Sequence, residues 1–453
     1  MIAALSRIVG PDDVLPGAPA PYGEDATGAT LGLRGEADAV VRPATAEQVR
    51  EVVAWCYEHD VPIVPRGGGT GFAGGAVPEG RGVVLSLERL RRVRALDPGA
   101  WRMQVEAGVR TETVARRARE SGLFFPPNPG AAEQSLIGGN IATNAGGSRA
   151  FKYGVTRRWV TGLEVVVAPG ELVTVGGPLR KDVGGYDLVG LMCGSEGTLG
   201  IVTAAWLALL PAPEERALLA GWYADRAAGC AAIEAVFACG AQPAAIEFAD
   251  AGAIAAARAA APSPIPADAG FLVLLEVDGS AAEVAATCAE AADALASDAL
   301  AVEQLGGRAE IDALLRWRDG ISLAVTGVTG AKVSDDVAVP VDRVEAALAD
   351  AEEIGARHGL PVCSWGHAGD GNLHVSFLLP AGEEGGRERA RAASRELHRA
   401  AVALGGAISG EHGIGLVKRG ELERQLGPVG ARLHATLKEA LDPKRLFNPD
   451  KKR

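Results

Sequence analysis

Val61-Pro62-Ile63-Val64-Pro65-Arg66-Gly67-Gly68-Gly69-Thr70-Gly71-Phe72-Ala73-Gly74-Gly75 is the stretch on which the fold turns. Residues 61–65 read as a short buried strand, and the glycines follow it at once. Consecutive glycines let backbone N–H groups turn inward and form an anion nest for a diphosphate, where the bland alternative is a flexible loop. The letters Gly69-Thr70-Gly71-Phe72-Ala73-Gly74 match the dinucleotide fingerprint. That fingerprint must open a helix, however, and Pro78, Gly80 and Gly82 forbid one, so a doubly wound dinucleotide fold fails on context. No Gly-Lys-Ser/Thr follows, which removes a nucleotide-triphosphatase loop.

Two more glycine clusters lie downstream. Ser135-Leu136-Ile137-Gly138-Gly139-Asn140-Ile141-Ala142-Thr143-Asn144-Ala145-Gly146-Gly147-Ser148 interleaves hydrogen-bonding side chains with bare backbone, and Gly194-Ser195-Glu196-Gly197-Thr198-Leu199-Gly200-Ile201-Val202 repeats the texture. Three such clusters exceed what turns require and point to a large, polar cofactor touched mainly by backbone.

From about residue 38 to 211 the chain is β-rich, with short apolar runs at 61–64, 83–87, 163–167 and 199–202. One helix is expected over 46–59, capped by Thr45 with Gln48 completing a capping box. After Pro211-Ala212-Pro213 the chain turns alanine-rich, with helices expected at 227–238, 281–296, 342–358 and 387–404 and strands at 218–223, 271–277, 337–339 and 373–379. That alternation reads as an α+β or α/β second domain, with the boundary at the proline pair.

The chain has 453 residues and a formal net charge of -12, which argues against a nucleic-acid partner. The basic run at residues 89–94 reads as a solvated face. No apolar run approaches the roughly 20 residues of a membrane span, and the start lacks the pattern of a secretory signal. A cytoplasmic location is therefore expected, with docking to a membrane-bound partner still open. The six cysteines are scattered without a Cys-x-x-Cys, which disfavours disulfides, a thiolate zinc site and an iron–sulfur cluster.

Three of the seven histidines sit in Gly366-His367-Ala368-Gly369-Asp370-Gly371-Asn372-Leu373-His374 and Gly410-Glu411-His412-Gly413. His367, His374 and Glu411 read as ligands of a divalent cation, and His412 as a base beside it. Three ligands leave positions for substrate, which argues for catalysis over scaffolding. Alternation along the strand puts Asn372, His374 and Ser376 on one face. The bland reading makes the histidines buried hydrogen-bonding groups.

Taken in order, these motifs resemble the FAD-linked 2-hydroxy-acid dehydrogenases and oxidases of the vanillyl-alcohol-oxidase type, whose members act on D-lactate, glycolate or D-2-hydroxyglutarate. The resemblance runs from Ala39-Val40-Val41-Arg42-Pro43 to Leu441-Asp442-Pro443-Lys444-Arg445-Leu446-Phe447-Asn448-Pro449. It implies an α+β architecture: a two-subdomain FAD-binding domain over 1–213 (core 38–213), then an antiparallel-sheet cap domain over 214–453, with 441–453 returning to the FAD domain.

By that resemblance FAD contacts Arg66, Gly67, Gly68, Gly69, Thr70, Gly71, Gly74 and Gly75 around its diphosphate. Ser135, Gly138, Gly139, Asn140, Thr143, Asn144, Gly146, Gly147, Ser148, Glu196, Gly197, Gly200, Ile201, Val202 and Asn448 hold the rest. Relatives with covalent flavin carry histidine where Thr70 stands, so non-covalent FAD is expected. Arg318, Ser322, Lys332 and Asn372 match positions that bind substrate, with Arg316 a competitor for the carboxylate clamp. Members that take 2-hydroxyglutarate tend to carry asparagine at the position of Ser376, which leans toward D-lactate or glycolate. Zinc, manganese and iron all suit the mixed ligand set. The electron acceptor stays open among quinone, cytochrome, electron-transfer flavoprotein and oxygen, and assembly between a homodimer and association with electron-transfer subunits. Competing readings are a metal-dependent hydrolase and a flavin subunit without chemistry of its own.

Overall fold

The computed structural model describes residues 1–379 and 385–452, and the chain divides into two compact units. The first comprises Met1–Gly146, Gly154–Ala212 and the segment from Glu411 onward; the second comprises Gly147–Tyr153 and Pro213–Gly410. The return to the first unit therefore starts at Glu411, well before the expected 441.

In the first unit, strands Ala39–Val41, Val83–Ser86 and Ile63–Arg66 run parallel, with Val14–Pro16 antiparallel at the edge. These central strands are apolar at nearly every position because both faces are covered. The crossover helix Ala46–Glu58 buries Val49, Val52, Val53, Cys56 and Tyr57, a 3.6-residue stripe that packs on Ile63, Val83 and Leu85. Its cap differs in one detail from expectation. Thr45 Oγ1 accepts from Gln48 N, but the Gln48 side chain accepts from Ala44 N at 2.7 Å, one residue short of a capping box.

A second, antiparallel sheet has the order Val93–Asp97, Arg102–Glu106, Ile201–Ala208, Val160–Val167, Glu171–Gly176. The basic run feeds this sheet and is no plain solvated face: Arg92 and Arg94 bond the buried carboxylate of Glu106. The C-terminal stretch lies along Ile63, whose N–H donates to the Leu446 carbonyl and whose carbonyl accepts from Asn448 N.

The second unit is a seven-stranded sheet in the order Ala299–Leu305, Glu215–Tyr223, Phe271–Gly279, Ala245–Asp250, Val362–His367, Asn372–Leu378, Lys332–Ala338. Every pair is antiparallel, so the α+β reading holds over α/β. Part of one face packs under Ile311, Leu314, Trp317, Ile321 and Val325 from the helices Arg308–Asp319 and Ile321–Thr329. Segment Gly147–Tyr153 joins this unit by ion pairs: Arg149 bonds Glu276 at 2.9 Å and Lys152 bonds Asp278 at 2.6 Å. Gly147 and Ser148 thus belong with the second unit and not with the glycine loops of the first. Among the described residues no helix is long and apolar enough to cross a membrane.

Candidate active site

The glycine run leaves the carboxyl end of a parallel strand, Ile63–Arg66, where open α/β sheets bind ligands. Residues 67–75 form no helix. Among the described residues, the N–H groups of residues 67–72 find no backbone acceptor, which leaves them to an anion. Added Cβ atoms show what each glycine does. At Gly68 one would lie 2.3 Å from the Gln134 carbonyl oxygen, so the loop is pressed against the second cluster. At Gly75 nothing lies within 4 Å, and at Gly71 and Gly139 the nearest atoms stand 4.0 and 3.9 Å away, the open side a cofactor would fill. These observations fit FAD.

Several side chains expected on the cofactor also brace the loops. The Arg66 guanidinium folds beneath its own loop and donates to the Glu24 carbonyl, and burial pulls its pKa below the ordinary value. Ser135 and Asn140 both bond the Thr111 hydroxyl, at 2.7 and 2.6 Å. Thr143 bonds back to the Gly139 carbonyl, and Asn144 caps Arg157 N. Residues Ile137–Thr143 form a short helix that the glycine-rich letters conceal. Asn448 clamps two loops together, its amide donating to the carbonyls of Gly75 and Glu196.

Glu196 takes a role that no motif announced. Its carboxylate accepts from the N–H groups of Ile414 and Gly415, at 3.0 and 2.7 Å, and so braces the loop that carries His412. Gly413 and Gly415, at φ of 84° and 46°, permit that bend. Leu416 N and Val417 N both donate to the Ala73 carbonyl, which ties the loop to the glycine run. The His412 ring lies beside Phe72 with centroids 5.1 Å apart, and its Nε2 is 4.0 Å from Glu411 Oε1.

In the second unit the sheet register gathers the remaining candidates. Asn372 pairs directly with His367, and His374 pairs with Trp365, so all four share a face. The two imidazoles stand 5.3 Å apart, nearly perpendicular. Ser376 pairs with Ser334, and their hydroxyls bond at 2.7 Å. Asn372 donates to the Val337 carbonyl, and its buried Oδ1 finds no partner among the described residues. Lys332 is on this face too, although the strand was expected only from 337. Burial lowers its pKa to about 8; its ammonium donates to the carbonyl and hydroxyl of Ser322 and lies 4.7 Å from the Trp365 ring.

Arg318 is held by Glu247, a buried carboxylate the sequence did not single out, and it also approaches Asp319 at 3.3 Å. Glu247 sits directly opposite His367 in the sheet, and its Oε1 is 2.7 Å from His367 Nδ1. Arg316 lies on the same helix outside this set, near Ala257 and Ala260. Gly410 packs on Asn372 so closely that an added Cβ would meet its amide at 2.0 Å; the next two residues in the chain are Glu411 and His412.

Residues 212–452 match the family described as FAD linked oxidases, C-terminal domain, and residues 37–176 match the FAD binding domain. The chain belongs to the FAD-linked oxidases. It is an oxidoreductase that binds FAD. Among curated relatives of this FAD-linked oxidase, glycolate oxidase subunit GlcD of Bacillus subtilis (strain 168) is 37% identical, covering 91% of the chain and 88% of the relative. D-lactate dehydrogenase of Anaerostipes hadrus is 34% identical over 94% and 92%, and D-2-hydroxyglutarate dehydrogenase of Xanthomonas citri pv. viticola is 37% identical over 91% and 88%. A solved p-cresol methylhydroxylase superposes with a TM-score of 0.81 at 18% identity, over 99% of this chain and 95% of that one, which places the fold in the vanillyl-alcohol-oxidase type.

Proposed function

We propose that this FAD-linked oxidase converts a D-2-hydroxy acid, D-lactate or glycolate before D-2-hydroxyglutarate, into the 2-oxo acid with the help of a divalent cation. The observation that carries the reading is the single sheet face of the second unit, where two imidazoles, an unsatisfied amide oxygen and two cationic side chains converge. His367, His374 and Glu411 would hold the cation with two imidazole nitrogens and a carboxylate oxygen, a set suited to zinc, manganese or iron. FAD supplies a two-electron acceptor and the cation a Lewis acid that favours the ionised hydroxyl.

The chain's own groups do the rest. Arg318 and Lys332 receive the substrate carboxylate, a planar fork and a point charge. Ser322 holds the Lys332 ammonium in place, and Asn372, whose buried Oδ1 has no partner among the described residues, lines the substrate side. His412 takes the hydroxyl proton on its imidazole. Its place beside Phe72, on a loop tied to the glycine run, supports that role. The hydroxyl pair of buried Ser376 and half-buried Ser334 offers no second cation for a diacid, which favours the smaller acids. Thr70 in the glycine run supports non-covalent FAD, and we place the enzyme in the cytoplasm, passing its electrons to a separate acceptor.

Family membership removes the hydrolase reading, and the inert flavin subunit is the remaining rival. Anaerobic mixing with a panel of D- and L-2-hydroxy acids decides between them: D-lactate or glycolate is expected to bleach the bound flavin, and a flavin left oxidised by every acid in the panel sinks the proposal.

A further inference from the structure

Glu247, His367 and Arg318 form a buried cluster with an internal conflict. His367 Nδ1 lies 2.7 Å from Glu247 Oε1 and 3.2 Å from Arg318 Nη2. An ionised carboxylate only accepts hydrogen bonds and a guanidinium only donates them. One nitrogen cannot satisfy both. Bonding to Glu247 requires the proton on Nδ1 and leaves the lone pair on Nε2; bonding to Arg318 requires the reverse, with a proton on Nε2.

We infer that Glu247 is a positioning residue that selects the Nδ1–H tautomer of His367 against the competing donor Arg318. Three observations decide the contest. The carboxylate contact is the shorter, and it is charge-assisted. Register fixes it, since Glu247 and His367 are direct partners in adjacent strands. Glu247 also ion-pairs through its other oxygen with that same Arg318 Nη2, so the carboxylate competes with the ring for the guanidinium's donors. All three groups are largely shielded from solvent, so water does not substitute for a lost partner.

The consequence rests on the metal reading proposed above. Only the tautomer with its lone pair on Nε2 can ligate through that nitrogen, so removing the Glu247 charge hands the ring to Arg318 and blocks the ligand. A plain structural role, the neutralising of a buried arginine, would lower stability without choosing a tautomer.

Imidazole 15N shifts of the metal-free, FAD-loaded full chain test the inference directly, with the His367 signals assigned by their loss in His367→Gln. The parent is expected to carry the proton on Nδ1, and a parent with it on Nε2 overturns the inference without recourse to any variant at Glu247. Zn2+ affinity, measured against a competing chelator, gives the second readout. Glu247→Gln is expected to bind Zn2+ about 10–100-fold more weakly, and Glu247→Gln/Arg318→Met to recover most of that loss because the rival donor is gone. Unchanged affinity in the single variant, or a double variant no better than the single, overturns the inference. A parent that binds no Zn2+ at all yet shows Nδ1–H overturns the metal reading instead, and leaves the tautomer assignment upheld.

Discussion

His412 and Lys332 are the residues whose chemistry the proposal commits most sharply. The loop that carries His412 is braced through its backbone, with the N–H groups of Ile414 and Gly415 ending on Glu196. Truncating its ring therefore leaves the loop and the flavin site intact. His412→Ala is expected to retain FAD and to slow substrate-driven flavin reduction by about 100-fold or more, the usual worth of a positioned base; rapid-mixing absorbance under anaerobic conditions measures it, and near-parental reduction would remove His412 from the mechanism. Lys332 makes a pH prediction. Burial lowers its pKa to about 8, so the ammonium is present below that pH and is lost as pH rises through it. The apparent KM for the acid should climb above about pH 8, and Lys332→Met should raise KM at neutral pH and flatten that rise. A KM independent of pH from 7 to 9.5 would remove Lys332 from the clamp.

Among the elements, legibility followed periodicity. The Ala46–Glu58 helix was plain in the letters because its apolar stripe repeats at 3.6 residues and Thr45 stands at its start. Strand Lys332–Ala338 was seen only at its end, since Asp335 and Asp336 interrupt the apolar pattern. Both are buried, and the structure pairs Asp335 with His398 at 2.7 Å and Asp336 with Ser409. Glu247 could not be read at all. Its meaning comes from the pairing of Ala245–Asp250 with Val362–His367, more than a hundred residues along the chain, and register between distant strands leaves no local trace. The returning C-terminal stretch was expected from its resemblance, but its anchor was not. Asp442, fully buried, accepts from Tyr57, Lys438 and the N–H groups of Leu446 and Phe447. Asp442→Ala strands those donors together with the Lys438 charge, and should cost the first unit about 3–5 kcal/mol. Urea unfolding followed by flavin release checks this, and a loss below about 1 kcal/mol would show the anchor to be incidental.

For the whole molecule, the glycine clusters pointed to the cofactor and the histidine patches to the proposed site, because both kinds of chemistry are confined to a few consecutive residues. What the letters hid was the bracing inside those clusters. Backbone at Gly71, Gly75 and Gly139 faces open space, and Arg66, Ser135, Asn140, Asn144 and Asn448 hold the loops around it together. Polar side chains in a glycine-rich stretch read alike whether or not they bond a neighbouring carbonyl, so sequence alone could not reveal that bracing. The proposal as a whole requires a cation and a flavin to act on one substrate. Flavin reduction by D-lactate or glycolate before and after chelation is the most direct measurement of that requirement. The account predicts that chelator-treated enzyme keeps its FAD, loses reduction by the acid, and regains it on addition of Zn2+ or Mn2+; undiminished reduction in enzyme shown to be free of metal would contradict it.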